Sequence, residues 1–541
     1  MQQKYDYVIV GAGSAGCALA NRLSEDHAVS VLLIEAGPPD RHPMIAMPRG
    51  IGKLLVPGNP HVWDYEAVPQ PGLAPEIWLK GRTLGGSSSV NGTVYVRGAP
   101  ADYDQWEAAG CRGWGWREIG PHFVALENHE LGAARWRGAG GPLRVSVHPA
   151  GDALCEAVLE AAAQSGTPRV ADVNDIEVVA NGGMGYQTVT TYRGKRCSAA
   201  QAFLEPARAR PNLLVITGMH VQRIEFQGDR AVSLVTKDGA GTYDNIAVSG
   251  ELILAAGAIE SPKLLQLSGI GPAELLRAHA IPVVLDAPEV GRNLREHRYL
   301  AMQYRVRAGS LNSRLSGIGL LRSLVSYTVR SKGPLTHSAH EVGGFVKTRP
   351  DLDRPDAQIG VGLYSMHVSG KSVNIDKQPG ISIGGYFMRP QSCGSVRIKS
   401  ADPTVRPLIE ANHLSAETDI HSSIALFRWI RRLAAQPALA PWLVSEITPG
   451  AACQSDREII DAFLRFGSTA YHVCGTVRMG TDPNAPLDPQ LRLKGIENVR
   501  VADTSIMPTL VSGNTNAPAM VIGLRAAEII RQTRLGVARA A

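Results

Sequence analysis

Short apolar runs closed by glycine or by an acid recur along the 541-residue chain and predict a parallel sheet assembled from distant segments. Residues 7–10 (YVIV) and 29–34 (VSVLLI) are rich in β-branched and aliphatic side chains, as strands buried on both faces require. The stretch 250–259 (GELILAAGAI) reads the same way, with Ser261 and Pro262 marking a helix start and glycines at 269 and 271 a turn. Residues 210–226 alternate like a strand, and 498–501 form one more short run, followed by Asp503. Helical periodicity from 517 to 531 predicts an amphipathic helix near the end of the sequence. Between about 305 and 455 the texture changes. Alternating runs at 357–363, 381–388 and 395–398, with one strong helical pattern at 417–435, predict an antiparallel sheet with helices to one side. A helical pattern after 155 gives way to polar turns by 185, and 37–75, rich in Pro, Gly and His, reads as irregular connection.

The first strand runs into Gly11, Gly13 and Gly16, spaced G-x-G-x-x-G. Gly11 serves the sharp turn, Gly13 leaves room for a pyrophosphate, and Gly16 lets the following helix pack on the sheet. The helix N-terminus then offers free N–H groups to phosphates. Glu35 closes the second strand about 20 residues on, where a carboxylate receives the ribose hydroxyls, which disfavours a 2′-phosphate and leaves NAD or FAD. A second glycine turn, Gly85-Gly86 before three serines, opens toward an anion, and Val90 with residues 94–96 implies that this loop is buried.

Composition narrows the function further. A length of 541 residues implies more than one structural unit. The net charge of +6 is small and not gathered into a stripe, so no nucleic-acid partner is expected. Seven cysteines without a C-x-x-C pair suggest reduced thiols in a cytoplasmic compartment. No secretory signal or membrane-length apolar stretch is visible.

Beyond the glycine unit with IEAG at 34–37, ordered motifs run through the chain: GRTLGGSSSVN (81–91), GAIESPKLLQLSGIG (257–271), GRNLREH (291–297), YHVCGTVRMG (471–480), VADTSIMP and SGNTNAPAM. With these motifs the sequence resembles the glucose-methanol-choline oxidoreductases, FAD enzymes acting on alcohols, and most closely their bacterial alcohol and choline dehydrogenases. The resemblance implies FAD rather than NAD, and an α/β fold: a Rossmann-like FAD-binding domain with a second α+β substrate domain built on an antiparallel sheet. The domains expected are 1–155, 195–305 and 456–541 for FAD, and 156–194 and 306–455 for substrate. By resemblance, Gly11, Gly13, Ser14, Gly16, Glu35 and Ala36 hold the adenosine diphosphate. Ser87, Asn91, Gly92, Thr93 and Val94 line the flavin, Val221 meets the adenine end, and Asp503 the ribityl or phosphate portion. His472 matches the catalytic histidine and Asn516, followed by Ala517, the second active-site position. Relatives with covalent flavin carry histidine where this chain has Val90, so dissociable FAD is expected.

Oxidising a primary alcohol to an aldehyde removes a hydroxyl proton and a hydride from one carbinol group. The resemblance implies that flavin N5 would take the hydride and neutral His472 the proton, while Asn516 would orient the oxygen. The expected electron acceptor is a quinone-type molecule or dioxygen. The alternatives are a choline dehydrogenase or alcohol oxidase of the same family, or a non-redox hydroxynitrile lyase that uses the same histidine. His337, His340 and Glu341 read as loop residues near the substrate entrance, without a metal. Tyr471, Tyr364, Met366 and Phe387 are candidates for an apolar pocket, and no aromatic-and-acid cage for a quaternary ammonium is recognisable. Arg525, Arg531 and Arg534 raise the possibility of peripheral contact with the inner membrane.

Overall fold

The computed structural model of the chain describes residues 4–73, 76–369 and 372–540; residues 74–75, at the end of the 37–75 stretch, lie outside them. The glycine-punctuated runs come together as a five-stranded sheet in the order Leu213–Thr217, Val31–Glu35, Tyr7–Val10, Glu251–Leu254, Val499–Val501. Every pairing in it is parallel, and Tyr7 is in register with both Val31 and Glu251. Helices Ser14–Leu23 and Asn516–Ala540 pack against each other on this sheet. Gly523 permits the closeness of the two helices, since a Cβ there would stand 2.3 Å from Ala15 O, and Gly16 seats the first helix on the glycine turn, where a Cβ would stand 1.9 Å from Gly11 O.

The middle of the chain builds a second, antiparallel sheet. Its strands run in the order Leu443–Thr448, Arg298–Val306, Gly380–Phe387, Ala357–Gly362, Val342–Val346, Gly183–Tyr186, and Ser468–Thr469 also pairs with Arg298–Val306. Helix Glu417–Ala434 covers one face through Leu426, Phe427, Ile430 and Leu433, in a core shared with Leu300, Met302, Ile359 and Ile383. Strand Arg298–Val306 crosses the expected boundary at 305/306, so the sheet's pairing reaches back into chain assigned to the other domain.

Three local expectations need correction. The stretch 37–75 is not wholly irregular: Val62–Glu66 pairs antiparallel with Ile77–Gly81, and short helices Pro43–Ala46 and Ile51–Leu54 precede the pair. The helix placed at Ser261 begins at Gly257 and carries Pro262 inside it. Proline has no N–H to donate to Ala258 O, and Thr476 Oγ1 fills the gap with a 2.7 Å hydrogen bond. Residues Ser395–Arg397 form a strand, but it pairs only with Leu408–Glu410, outside the large sheet.

Candidate active site

A long cavity opens beyond the carboxyl ends of the parallel strands, where the strand ends of such sheets present ligands, and the antiparallel sheet forms its far wall. At the near end Glu35 Oε2 accepts from Ala12 N at 3.0 Å and Oε1 from Gly37 N at 2.9 Å. Burial raises its carboxyl to about 7. Asp503 accepts from Gly257 N (2.9 Å), Ser261 Oγ (2.6 Å) and Ser505 N (2.8 Å), fastening the last strand to the helix that starts at Gly257. Met219, His220, Val221 and Trp63 face the same end.

Further in, Ser87, Val90, Asn91, Gly92, Thr93 and Val94 line one side. Asn91 Oδ1 receives Thr93 N (3.0 Å) and the buried Arg196 Nη1 (2.6 Å). Thr93 adopts φ +64°, a left-handed conformation costly for a β-branched residue, and its buried hydroxyl has no partner among the described residues. Of the residues expected around the cofactor, Gly16 and Ala517 are not among the cavity-lining ones. Gly16 is consumed by helix packing and Ala517 is buried in the core. Asn516 lines the cavity with its Oδ1 accepting from Ser14 Oγ at 2.8 Å.

His472 sits at the deep end, 7% exposed, in a chain of hydrogen bonds whose directions can be worked out. Met388 O can only accept, so His297 Nε2 carries a hydrogen toward it at 2.8 Å. Burial pushes His297 down to about 3, so it is neutral and its Nδ1 is an acceptor. The hydrogen between His297 Nδ1 and His472 Nδ1, 2.9 Å apart, therefore belongs to His472. That leaves His472 Nε2 as the basic nitrogen, receiving Asn514 Nδ2 at 2.9 Å. Burial first, then His297 and Lys80, hold His472 well below the usual imidazole range, so it is neutral too. Glu296 anchors the group from behind, accepting the backbone N–H groups of His472 (2.9 Å) and His297 (2.8 Å) and the hydroxyl of Thr469 (2.8 Å). Glu296, His297 and His472 are close enough to hold a metal, but these donors already occupy the carboxylate.

The sequence reading gave Asn516 the second active-site position; Asn516 lines the cavity, and the amide hydrogen-bonded to the histidine is Asn514, two residues earlier. Asn514, Glu296 and His297 stood inside motifs the reading quoted without giving them a role. The adjacent wall is aromatic: Tyr299, Tyr364, Tyr386 and Tyr471, with Met366 and His340. Phe387 does not line the cavity, because strand alternation that turns Tyr386 inward turns Phe387 away. His340 lines it and meets Tyr299 Oη at 3.1 Å. His337 and Glu341 lie behind with Arg49, whose guanidinium bonds to Glu341 and stands 5.0 Å from the Tyr364 ring centroid.

The family profile described as GMC oxidoreductase matches residues 5–299 for its N-terminal part and 390–523 for its C-terminal part. The chain belongs to the GMC oxidoreductase family. Among relatives, it is 40% identical to the alcohol dehydrogenase [acceptor] of Pseudomonas putida, with 97% of this chain and 95% of that protein aligned. It is also 40% identical to the mitochondrial choline dehydrogenase of Homo sapiens over 98% of this chain and 90% of the other. Among solved structures, pyridoxine 4-oxidase from Mesorbium loti superposes with a TM-score of 0.86 at 33% identity, covering 98% and 99% of the two chains. As a GMC oxidoreductase the chain is an FAD-dependent enzyme, and the site fits that cofactor. A Cβ at Gly13 would have no neighbour nearer than Ala255 O at 3.9 Å, the Thr93 hydroxyl is unpartnered, and an acid ends the second strand.

Proposed function

We propose that this GMC oxidoreductase oxidises uncharged primary alcohols, aliphatic or aromatic, to aldehydes, with His472 as the general base. The observation that carries this reading is the unprotonated Nε2 of His472, left without a hydrogen by its bonded neighbours and accepting only from the Asn514 amide at the cavity wall. FAD supplies the hydride acceptor. Gly13, Glu35, Asn91, Thr93 and Asp503 would hold it, and Val90 offers no nucleophile for a covalent link, which favours dissociable cofactor. Within the protein, the alcohol proton passes to His472 Nε2 while Asn514 or Asn516 steadies the oxygen by an amide hydrogen bond. A neutral base is available because burial keeps His472 unprotonated at ordinary pH.

The choice of an uncharged alcohol rests on electrostatics. The carboxylates lining the cavity, Glu35, Glu260 and Asp503, stand at the dinucleotide end, whereas Lys80 lines it close to His472 and Arg49 already covers a face of Tyr364. Glu296 and Glu341 stand behind the wall, the first taken up by His472, His297 and Thr469 and the second by Arg49, so a quaternary ammonium would meet Lys80 with no carboxylate among the lining residues beside it. The acceptor is a quinone-type molecule or dioxygen. The purified enzyme should be mixed anaerobically with a medium-chain alcohol, benzyl alcohol and choline while flavin absorbance is followed, then reoxidised with oxygen or an artificial quinone. The two uncharged alcohols should bleach the flavin faster; faster bleaching by choline would overturn the substrate assignment. Acid precipitation should leave FAD in the supernatant, and yellow colour in the washed pellet would refute dissociable cofactor.

A further inference from the structure

Helix Gly317–Arg330 presents its apolar side outward. Ile318, Leu321, Val325 and Val329, spaced as one helical stripe, are 72%, 62%, 55% and 75% exposed, while Ser323 alone among its residues is buried. Arg314, Arg322, Arg330 and Lys332 border the stripe, all exposed and without ion pairs among the described residues. No Asp or Glu occurs between Glu296 and Glu341. The hairpin Thr191–Tyr192 with Lys195–Arg196 continues the surface, because a Cβ at Gly194 would lie 2.5 Å from Ser331 O, at the end of the helix. It adds Tyr192, 46% exposed between the guanidinium groups of Arg193 (5.0 Å) and Arg144 (4.9 Å), together with exposed Lys195.

We propose that this face docks the enzyme on an anionic lipid bilayer, with the helix lying in the interface. An apolar stripe, basic flanks and an aromatic residue at the rim are what an interfacial helix needs, and 14 residues are too few to span a bilayer. No helix among the described residues is long and apolar enough to cross a membrane. A second copy of the chain is the weaker occupant: seated face to face it would bring the same cations together with no carboxylate between them. The C-terminal helix, where the sequence suggested membrane contact, is unsuited. Its Arg525, Arg531 and Arg534 are engaged by Glu528, Glu25 and Asp26. The docking face also adjoins the cavity wall. The turn Pro334–Thr336 packs on Pro48–Gly50, and Ala339, His340 and Ile51 line the cavity. Docking would therefore hold the cavity next to acceptors or alcohols dissolved in lipid; the docking itself does not rest on the proposed reaction.

The test is cosedimentation of the FAD-loaded full chain with vesicles of phosphatidylcholine alone or with added phosphatidylglycerol. Binding should require the anionic lipid and weaken as salt is raised. Leu321→Gln with Val325→Gln should lower vesicle binding at least roughly tenfold, with flavin absorbance and melting temperature unchanged. Arg322→Gln with Arg330→Gln should remove the preference for phosphatidylglycerol. The proposal is overturned if the parent ignores both vesicles, or if both double variants bind as the parent does. It is equally overturned if sedimentation shows a lipid-free dimer that the Leu321/Val325 variant converts to monomer.

Discussion

His472 is useful as a base only while its Nε2 stays free of hydrogen, and that condition is set by its neighbours. Replacing it by alanine should slow flavin reduction by alcohol at least roughly a hundredfold, measured by stopped flow, with FAD retained. Because burial lowers its affinity for protons, the acidic limb of the reduction rate should fall below about pH 6.5, the ordinary imidazole value. His297 acts one step back, as a positioning residue. His297→Leu removes the acceptor for His472 Nδ1–H, so the ring can place its hydrogen on Nε2 instead. We expect kcat to fall at least roughly tenfold with little change in KM, and the limb to move. His297→Gln, which can still accept, should recover part of the loss; a variant with parental kcat and pH profile would refute the tautomer assignment. The sequence exposed His472 through its motif, but not this pairing. The two histidines are 175 residues apart, and contact at that separation leaves no local spacing to read. Asn516 and Asn514 illustrate a finer limit: both lie in one quoted motif, and only the three-dimensional turn before the last helix decides which amide reaches the ring.

At the scale of single elements, the glycine-loop unit was legible because strand, turn, helix and acid follow within a few dozen residues and each obeys a local rule. The order of strands in the antiparallel sheet was not, since period-two alternation says which face is buried and nothing about which neighbour pairs. The helix at Gly257 shows the same limit in reverse. Ser261-Pro262 looks like a start signal, but the carbonyl that proline leaves bare is satisfied from a distant loop by Thr476, which is fully buried. Thr476→Val keeps the shape and removes the donor. It should cost about 1–3 kcal/mol, the penalty for a buried unpaired carbonyl, seen as a lower urea midpoint with unchanged slope. Loss below about 0.5 kcal/mol would mean that the carbonyl finds another partner.

Across the whole molecule, buried titratable groups couple stability to pH in two opposed ways. His129, His148, His297 and His413 are held neutral, pushed by burial down to about 4, 4, 3 and 3. Below about pH 6.5 the unfolded chain protonates them first, so stability falls as pH falls. Glu35 and Glu296, raised to about 7, do the reverse: between about pH 7 and 4.3 the folded chain holds their protons and gains stability as pH falls. With more histidines than carboxyls in play, the flavin-free chain should lose melting temperature steadily from pH 6.5 toward 4; a rise over that range would show that the histidines are accessible to protons. The hydrogen bond between Ser14 and Asn516 joins positions 502 residues apart. A ribosome delivers the glycine loop 502 residues ahead of Asn516, so over that whole interval the nascent polypeptide carries half a nucleotide cradle. Flavin loading is thereby deferred until Asn516 has emerged, and messages cut short upstream of it should yield colourless chains for the cell's proteases to clear.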